Sequence, residues 1–122
     1  MRIFASSTLK KYWDNEPNAE QPLKAWLSVA EKAKWNNHNE LKKQFGKASI
    51  INKKRVVFNI KGNDYRLIVD LEYVKKLIFI VWIGTHAEYD KIKVEDVIYK
   101  KSIKTPNKSN SSNSVSPSFR SS

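Results

Sequence analysis

The chain has 122 residues and no cysteine, with 23 Lys and Arg against 12 Asp and Glu for a formal charge of +11. Its 40% hydrophobic and 11% aromatic residues suffice for one buried core, so a single folded domain is expected and full disorder is excluded. Disulfide frameworks and thiolate metal sites are excluded too, and the longest apolar run, Leu77 to Ile83, is far too short to span a bilayer. Met1 to Ala5 has no long apolar stretch of the kind a signal peptide needs, so a cytoplasmic location without membrane attachment is expected. The charge favours polyanionic partners, nucleic acid or ribosome first, an acidic protein or anionic surface second. A basic surface that is merely solvated is the alternative.

Arg2 to Ala5 reads as a short strand. Ser6 or Ser7 then caps a helix that sets Leu9, Tyr12 and Trp13 on one face, and Pro17 breaks it. A second helix begins between Ala19 and Pro22, a proline being tolerated in a first turn. Its apolar stripe is Leu23, Trp26, Leu27, Ala30 and Ala33, with Lys24, Glu31, Lys32 and Lys34 elsewhere. Trp13 and Trp26 are expected in the core rather than as platforms for bases. A helical turn follows from Asn39 to Phe45, with Gly46 as its C-terminal cap.

The second half is strand-like. Arg55 to Ile60 and Tyr65 to Leu71 alternate in polarity around the turn Lys61-Gly62-Asn63-Asp64. Closing that hairpin pairs Ile60 with Tyr65, Phe58 with Leu67 and Val56 with Val69, all apolar. The other face then sets Asn59 opposite Arg66 and Arg55 opposite Asp70. A slip of one residue would destroy both matches, which fixes the register. Ile78 to Ile83 is apolar throughout, as in a strand covered on both faces, and Gly84 is expected to end it.

The elements add up to an α+β domain, residues 1–101, with two N-terminal helices packed on a small antiparallel sheet. The sheet face away from the helices carries Arg55, Asn59, Lys61 and Arg66 beside some apolar positions, a basic, partly polar surface suited to an RNA backbone. From Ser102 to Ser122 the chain holds 9 Ser, 3 Asn and 2 Pro and no acid, so a disordered tail is expected over residues 102–122. Residues 1–101 stay clearly basic without it.

Chemistry concentrates in Gly84-Thr85-His86-Ala87-Glu88-Tyr89-Asp90-Lys91, where the last strand leaves the sheet. Cleaving an RNA phosphodiester needs a 2′-hydroxyl deprotonated, a 5′-oxygen protonated and a phosphorane charge stabilised. Histidine suits the proton transfers and arginine, through its fork, the phosphate. A single histidine at a strand end suits a structural role equally well. His38, between asparagines, is expected to be an ordinary loop residue. The sequence offers no metal-ligand spacing, Gly-rich phosphate loop or nucleophile elbow, and no cofactor is expected.

Arg55-Val56-Val57-Phe58-Asn59-Ile60-Lys61-Gly62-Asn63, then Tyr65-Arg66-Leu67, then Gly84-Thr85-His86-Ala87-Glu88-Tyr89-Asp90-Lys91-Ile92 closely resembles the HigB toxins of the RelE superfamily. The Trp26 region and Arg2-Ile3 fit as well, so the resemblance covers about residues 1 to 98; the Ser/Asn-rich tail lies outside it. The resemblance implies a RelE-like fold and the toxin of a type II toxin–antitoxin system. It further implies an mRNA interferase that cleaves mRNA in the ribosomal A site without a metal, leaves a cyclic phosphate and so inhibits translation. A HigA-type antitoxin would neutralise it, with operator DNA bound only through the antitoxin complex. Matching positions make Arg66, His86 and Tyr89 the catalytic candidates, and Arg55, Lys61 and Lys91 the RNA-binding ones. The rival readings are a non-catalytic relative of the ParE gyrase inhibitors and an RNA- or ribosome-binding accessory protein.

Overall fold

In a computed structural model, which describes residues 1–98, the two alternating segments pair as their patterns dictate. Strands β1 (Arg2–Phe4), β2 (Ser49–Ile50), β3 (Arg55–Ile60), β4 (Tyr65–Glu72) and β5 (Leu77–Thr85) form one sheet in the order β1-β5-β4-β3-β2. The helices are α1 (Ser7–Asn15), α2 (Glu20–Lys32), α3 (His38–Gln44) and α4 (His86–Tyr89), with a 3₁₀ turn at Pro17–Ala19 between α1 and α2. The tail expected from Ser102 lies outside the described residues.

The hairpin register is the expected one, residue for residue, from Ile60 against Tyr65 to Arg55 against Asp70. One expectation about the sheet needs correcting. β1 joins β5 in parallel, Phe4 beside Phe79, so the sheet is mixed and only its other pairings are antiparallel. The α1–α2 excursion carries the chain from the edge strand across the sheet before β2 begins. Three residues of β1 contain no information about a partner 75 positions away.

One sheet face receives Leu9 of α1, Leu23, Trp26 and Ala30 of α2, and Leu41 of α3 against Val56, Phe58, Leu67, Val69, Ile78 and Ile80. Phe58 sits at the aromatic centre, with Trp26 and Phe45 edge-on at 5.3 and 5.0 Å between centroids. The break at Pro17 and the first-turn Pro22 fall where expected. α3 is capped by Asn37, whose side chain accepts from the Glu40 amide at 2.9 Å, and its C-terminal cap is Phe45 rather than Gly46. His38 is not an idle loop residue. Its Nδ1 lies 2.5 Å from the Tyr73 hydroxyl and its Nε2 2.9 Å from the Asn52 carbonyl, joining α3 to two loops.

The opposite face departs most from expectation. Instead of standing open along its length, it carries a second small core of Val57, Ile68 and Val81, over which Tyr89, Ile92, Val94 and Val97 pack. Arg55 ties that covering down. The residue is 5% exposed, its Nε and Nη2 donate to the two Asp70 oxygens at 2.7 and 2.8 Å, and Nη1 donates to the carbonyls of Val94, Glu95 and Val97. The Asp70 hydrogen bonds come first in holding the guanidinium protonated, against the opposing effect of burial.

Removing one partner of such a pair strands the other charge. Arg55→Met is therefore expected to cost about 3 kcal/mol, the low end of the range because Asp70 keeps a fifth of its side chain in water. In a domain this size that lowers the melting midpoint by more than about 10 °C. Thermal melts should also show partial recovery in Arg55→Met/Asp70→Leu, where no unpaired charge is left. A single variant that melts within a degree or two of wild type would contradict this account.

Candidate functional site

What the C-terminal covering leaves open is the other end of that sheet face, where β4 leaves the hairpin turn and β5 ends. Arg66 pairs across the ladder with Gly84, which puts its side chain two residues from His86. The guanidinium donates from Nη1 to the carbonyls of Asn63 (3.1 Å) and Tyr65 (3.4 Å), and from Nη2 to Asn63 Oδ1 (3.2 Å). These bonds orient the fork and use only part of its five donors, so an anion can take the rest. Its carbon lies 5.8 Å from the centre of the Tyr89 ring. That ring is tilted against Trp82, 6.3 Å between centroids. Burial raises the Tyr89 phenol, Arg66 opposes this, and Glu95 and Asp90 reinforce it. The hydroxyl is accordingly a neutral hydrogen-bond donor at physiological pH.

Strand β5 does not stop at Gly84, as the sequence suggested, but runs on to Thr85. The glycine serves packing instead. A β-carbon there would lie 2.4 Å from Trp82 Cη2 and 2.8 Å from Glu88 Oε1, so the absent side chain is what lets the indole and the carboxylate approach. A bulge at Ile68/Val69, opposite the stretch from Ile80 to Trp82, re-aims the end of β5. Thr85 then opens α4 with a capping box: its hydroxyl accepts from the Glu88 amide, and the Glu88 carboxylate accepts from the Thr85 amide. This box fixes the first turn of α4, and with it His86.

His86 is half exposed, and its Nε2 is 3.5 Å from Asp90 Oδ2 one turn on. Its amide donates to the Asp64 carbonyl at 3.0 Å, which pins the start of α4 to the hairpin turn. His86 lines a shallow cleft of about 430 Å³ with Lys61, Asn63, Asp64, Tyr65, Thr85 and Ala87, closed by Glu16 and Asn18 from the α1–α2 break. Tyr65 holds Glu16 by donating its hydroxyl to Oε2 at 2.9 Å. Burial raises the Tyr65 phenol first, and the Glu16 hydrogen bond adds to that.

Of the six candidates, then, Arg66 and Tyr89 are in contact and His86 follows on the adjoining strand end. Lys61 stands exposed in the turn at the cleft, 3.9 Å from Asp64, and Lys91 is exposed just after α4. Arg55 is not with them. It is buried on the same sheet face under the C-terminal segment, with its donors committed to Asp70 and three carbonyls, and has no face to offer a phosphate. The sequence did not mark Trp82, Asn63 or Glu16. Trp82 looked like one more apolar residue of a buried strand, and Glu16 meets Tyr65 across 49 positions with no local signal. Among the described residues no group of three or more His, Asp or Glu is gathered as a metal ion would need. Among them, too, no helix is long and apolar enough to cross a membrane.

Residues 19–92, well over half of the chain, match the family model HigB_toxin, the RelE-like toxic component of a toxin-antitoxin system. No curated protein matches the chain.

Gly84→Ala tests how far this end of the sheet depends on the missing side chain. Either the Trp82 indole or the Glu88 carboxylate has to move, at an overpacking cost of about 1–3 kcal/mol. The expected result is a changed near-ultraviolet circular dichroism signal and faster amide exchange in residues 85–89, with exchange in β3 and β4 unaltered. Unchanged spectra and exchange would mean that the contact is slack.

Proposed function

Because the chain belongs to the HigB family, the RelE-like toxic components of toxin–antitoxin systems, we propose that it is a ribosome-dependent endoribonuclease that cleaves mRNA and so stops translation. Family membership also gives it an antitoxin partner; we take this to be of the HigA type, with operator DNA bound only through the toxin–antitoxin complex. Cytoplasmic action follows from the substrate. The observation that carries the reading is the meeting of Arg66 and Tyr89 at the open end of the sheet face, one ladder pair away from the strand end that bears His86.

The chemistry needed is attack of a 2′-oxygen on the adjacent phosphorus. The P–O5′ bond breaks, a 2′,3′-cyclic phosphate forms, and the 5′-oxygen leaves with a proton. His86, exposed and with Asp90 beside its Nε2, moves the protons. Arg66, pre-oriented by Asn63, supplies two parallel donors to the phosphorane oxygens. Tyr89 donates its neutral hydroxyl or offers its ring to a base beside the scissile bond. Lys61 and Lys91 add positive charge along the backbone. Among the described residues no second carboxylate–histidine pair supports His86, so the site relies on a substrate already held in line, which an A-site codon on the ribosome provides. A gyrase-poisoning relative of the same fold has no use for a proton-transfer group at this strand end.

Arg66→Ala and His86→Ala are each expected to lower the cleavage rate about 10²–10³-fold, the usual effect of losing one transition-state partner, with melting midpoints unchanged. The measurement is 5′-end mapping of mRNA on programmed ribosomes, with naked mRNA in parallel. Inducing the wild-type chain alone should arrest growth. Soluble wild-type protein that leaves ribosome-bound mRNA intact would refute the reading, and rapid EDTA-sensitive cutting of naked RNA would point to another nuclease class.

A further inference from the structure

The cleft beside His86 contains more than a proton-transfer site needs. It is built from two distant parts of the chain: the α1–α2 break supplies Glu16 and Asn18, while the hairpin turn and the end of β5 supply Lys61, Asp64 and His86. It is a shallow cleft of about 430 Å³, broadly open to solvent. The two halves differ in chemistry. Lys61 and His86 suit a phosphate. The Glu16 carboxylate does not, since it repels one.

Glu16 is positioned with unusual care for a half-buried acid. As the residue before Pro17 it is kept out of helical geometry, with φ −134° and ψ 79°. Its amide donates to the Tyr12 carbonyl at 2.8 Å and its carbonyl accepts from the Ala19 amide at 2.9 Å. Its Oε2 accepts the Tyr65 hydroxyl, a bond made from a tyrosine that is 4% exposed and anchored in the main core. Backbone and side chain are thus both fixed, while Oε1 and a lone pair of Oε2 are left for a ligand.

Resting on the cleavage reading above, we propose that this cleft is a base-recognition subsite in which Glu16 reads the Watson–Crick edge of an unpaired guanine next to the scissile phosphate. A carboxylate only accepts hydrogen bonds, through two oxygens side by side. Guanine alone among the four bases presents two adjacent N–H donors on that edge, at N1 and N2. Adenine, cytosine and uracil each set an acceptor beside a donor and would meet the second oxygen with repulsion. Asn18 donates from its amide to the guanine O6, and the phosphate runs out toward Lys61 and His86. Glu16 is therefore a specificity residue, separate from the groups that perform the cleavage.

Glu16→Gln tests this sharply. The glutamine oxygen still accepts from Tyr65, so the fold is kept, but one acceptor becomes a donor, so the two-donor edge of guanine loses its match and mixed donor–acceptor edges such as adenine's gain one. ¹⁵N-labelled protein is titrated with 3′-GMP, 3′-AMP, 3′-CMP and 3′-UMP while the amides of Asn18, Thr85 and Ala87 are followed. Wild type should bind 3′-GMP at least about fivefold more tightly than the others, the discrimination of one good bidentate contact, and Glu16→Gln should reverse the order of GMP and AMP. Equal binding of all four, shifts confined to other amides, or an unaltered order in Glu16→Gln would overturn the proposal. This readout needs no catalysis, so its failure is distinct from failure of the nuclease reading. With programmed ribosomes, cut sites flanked by guanine in wild type should shift toward adenine in the variant, whatever its overall rate.

Discussion

Arg55 brings a full positive charge into a region where 5% of its surface meets water, and much of the molecule is arranged around that fact. A cation there is tolerated only if its donors are met, because transfer of an isolated charge out of water costs many kcal/mol. Asp70, directly across the ladder, meets two of them in a parallel fork. Nη1 is met by the main-chain carbonyls of Val94, Glu95 and Val97, which lie in a stretch without strand or helix and so outside any regular ladder. The two needs are complementary. Arg55 gains acceptors and the irregular segment gains donors, and the segment is thereby drawn over Val57, Ile68 and Val81, which would otherwise be apolar surface on the outer face of the sheet.

Closure of that half of the face determines where function can sit. Among the described residues, the Arg55 end is covered, and the polar groups of this face emerge at the hairpin end, where Asn59, Asn63 and Arg66 lie near Tyr89 and Trp82. Tyr89 serves both sides. It caps the small second core and also presents its ring to Arg66, so the covering segment is one wall of the site as well as its boundary. Two arginines on one sheet face have thus taken opposite fates. Each depends on the planar fork, which matches a carboxylate in one case and suits a phosphate in the other, a geometry lysine does not supply.

The difference between them was only half legible in the sequence. Strict alternation with a period of two fixed the β3–β4 register, and the register put Arg55 opposite Asp70 and Arg66 opposite Asn59. A surface ion pair and a buried one look alike at that level. What buries Arg55 is a set of carbonyls some 40 positions downstream, and backbone acceptors leave no mark in a sequence. The amphipathic helices and the proline break were readable because their signals are local. The parallel edge strand, the dyad β2 and the Glu16–Tyr65 contact were not, since each depends on where distant parts of the chain come to rest. Gly84 was read through its commonest role, ending a strand, whereas its part is to make room for Trp82 and Glu88.

The hairpin turn connects the open sheet face to the cleft, and its backbone explains why it can. Lys61 and Gly62 both adopt left-handed conformations, φ 53° and 65°, where Asn63 had looked the natural partner of Gly62. A left-handed lysine costs about 1–2 kcal/mol, and such geometry persists only where its surroundings impose it. Here the imposition comes from both sides: six consecutive ladder pairs fix the strands below the turn, and the His86 amide is bonded to the Asp64 carbonyl at its edge. The same constraint leaves Lys61 and Asn63 at the cleft while Asn63 also holds the Arg66 guanidinium, so one short turn orients groups on both of its sides. A strand of RNA bound as proposed would meet Arg66 on one side of this turn and, on the other, the cleft that His86 shares with Glu16. That arrangement follows from the ladder register and the turn, not from any flexible side chain.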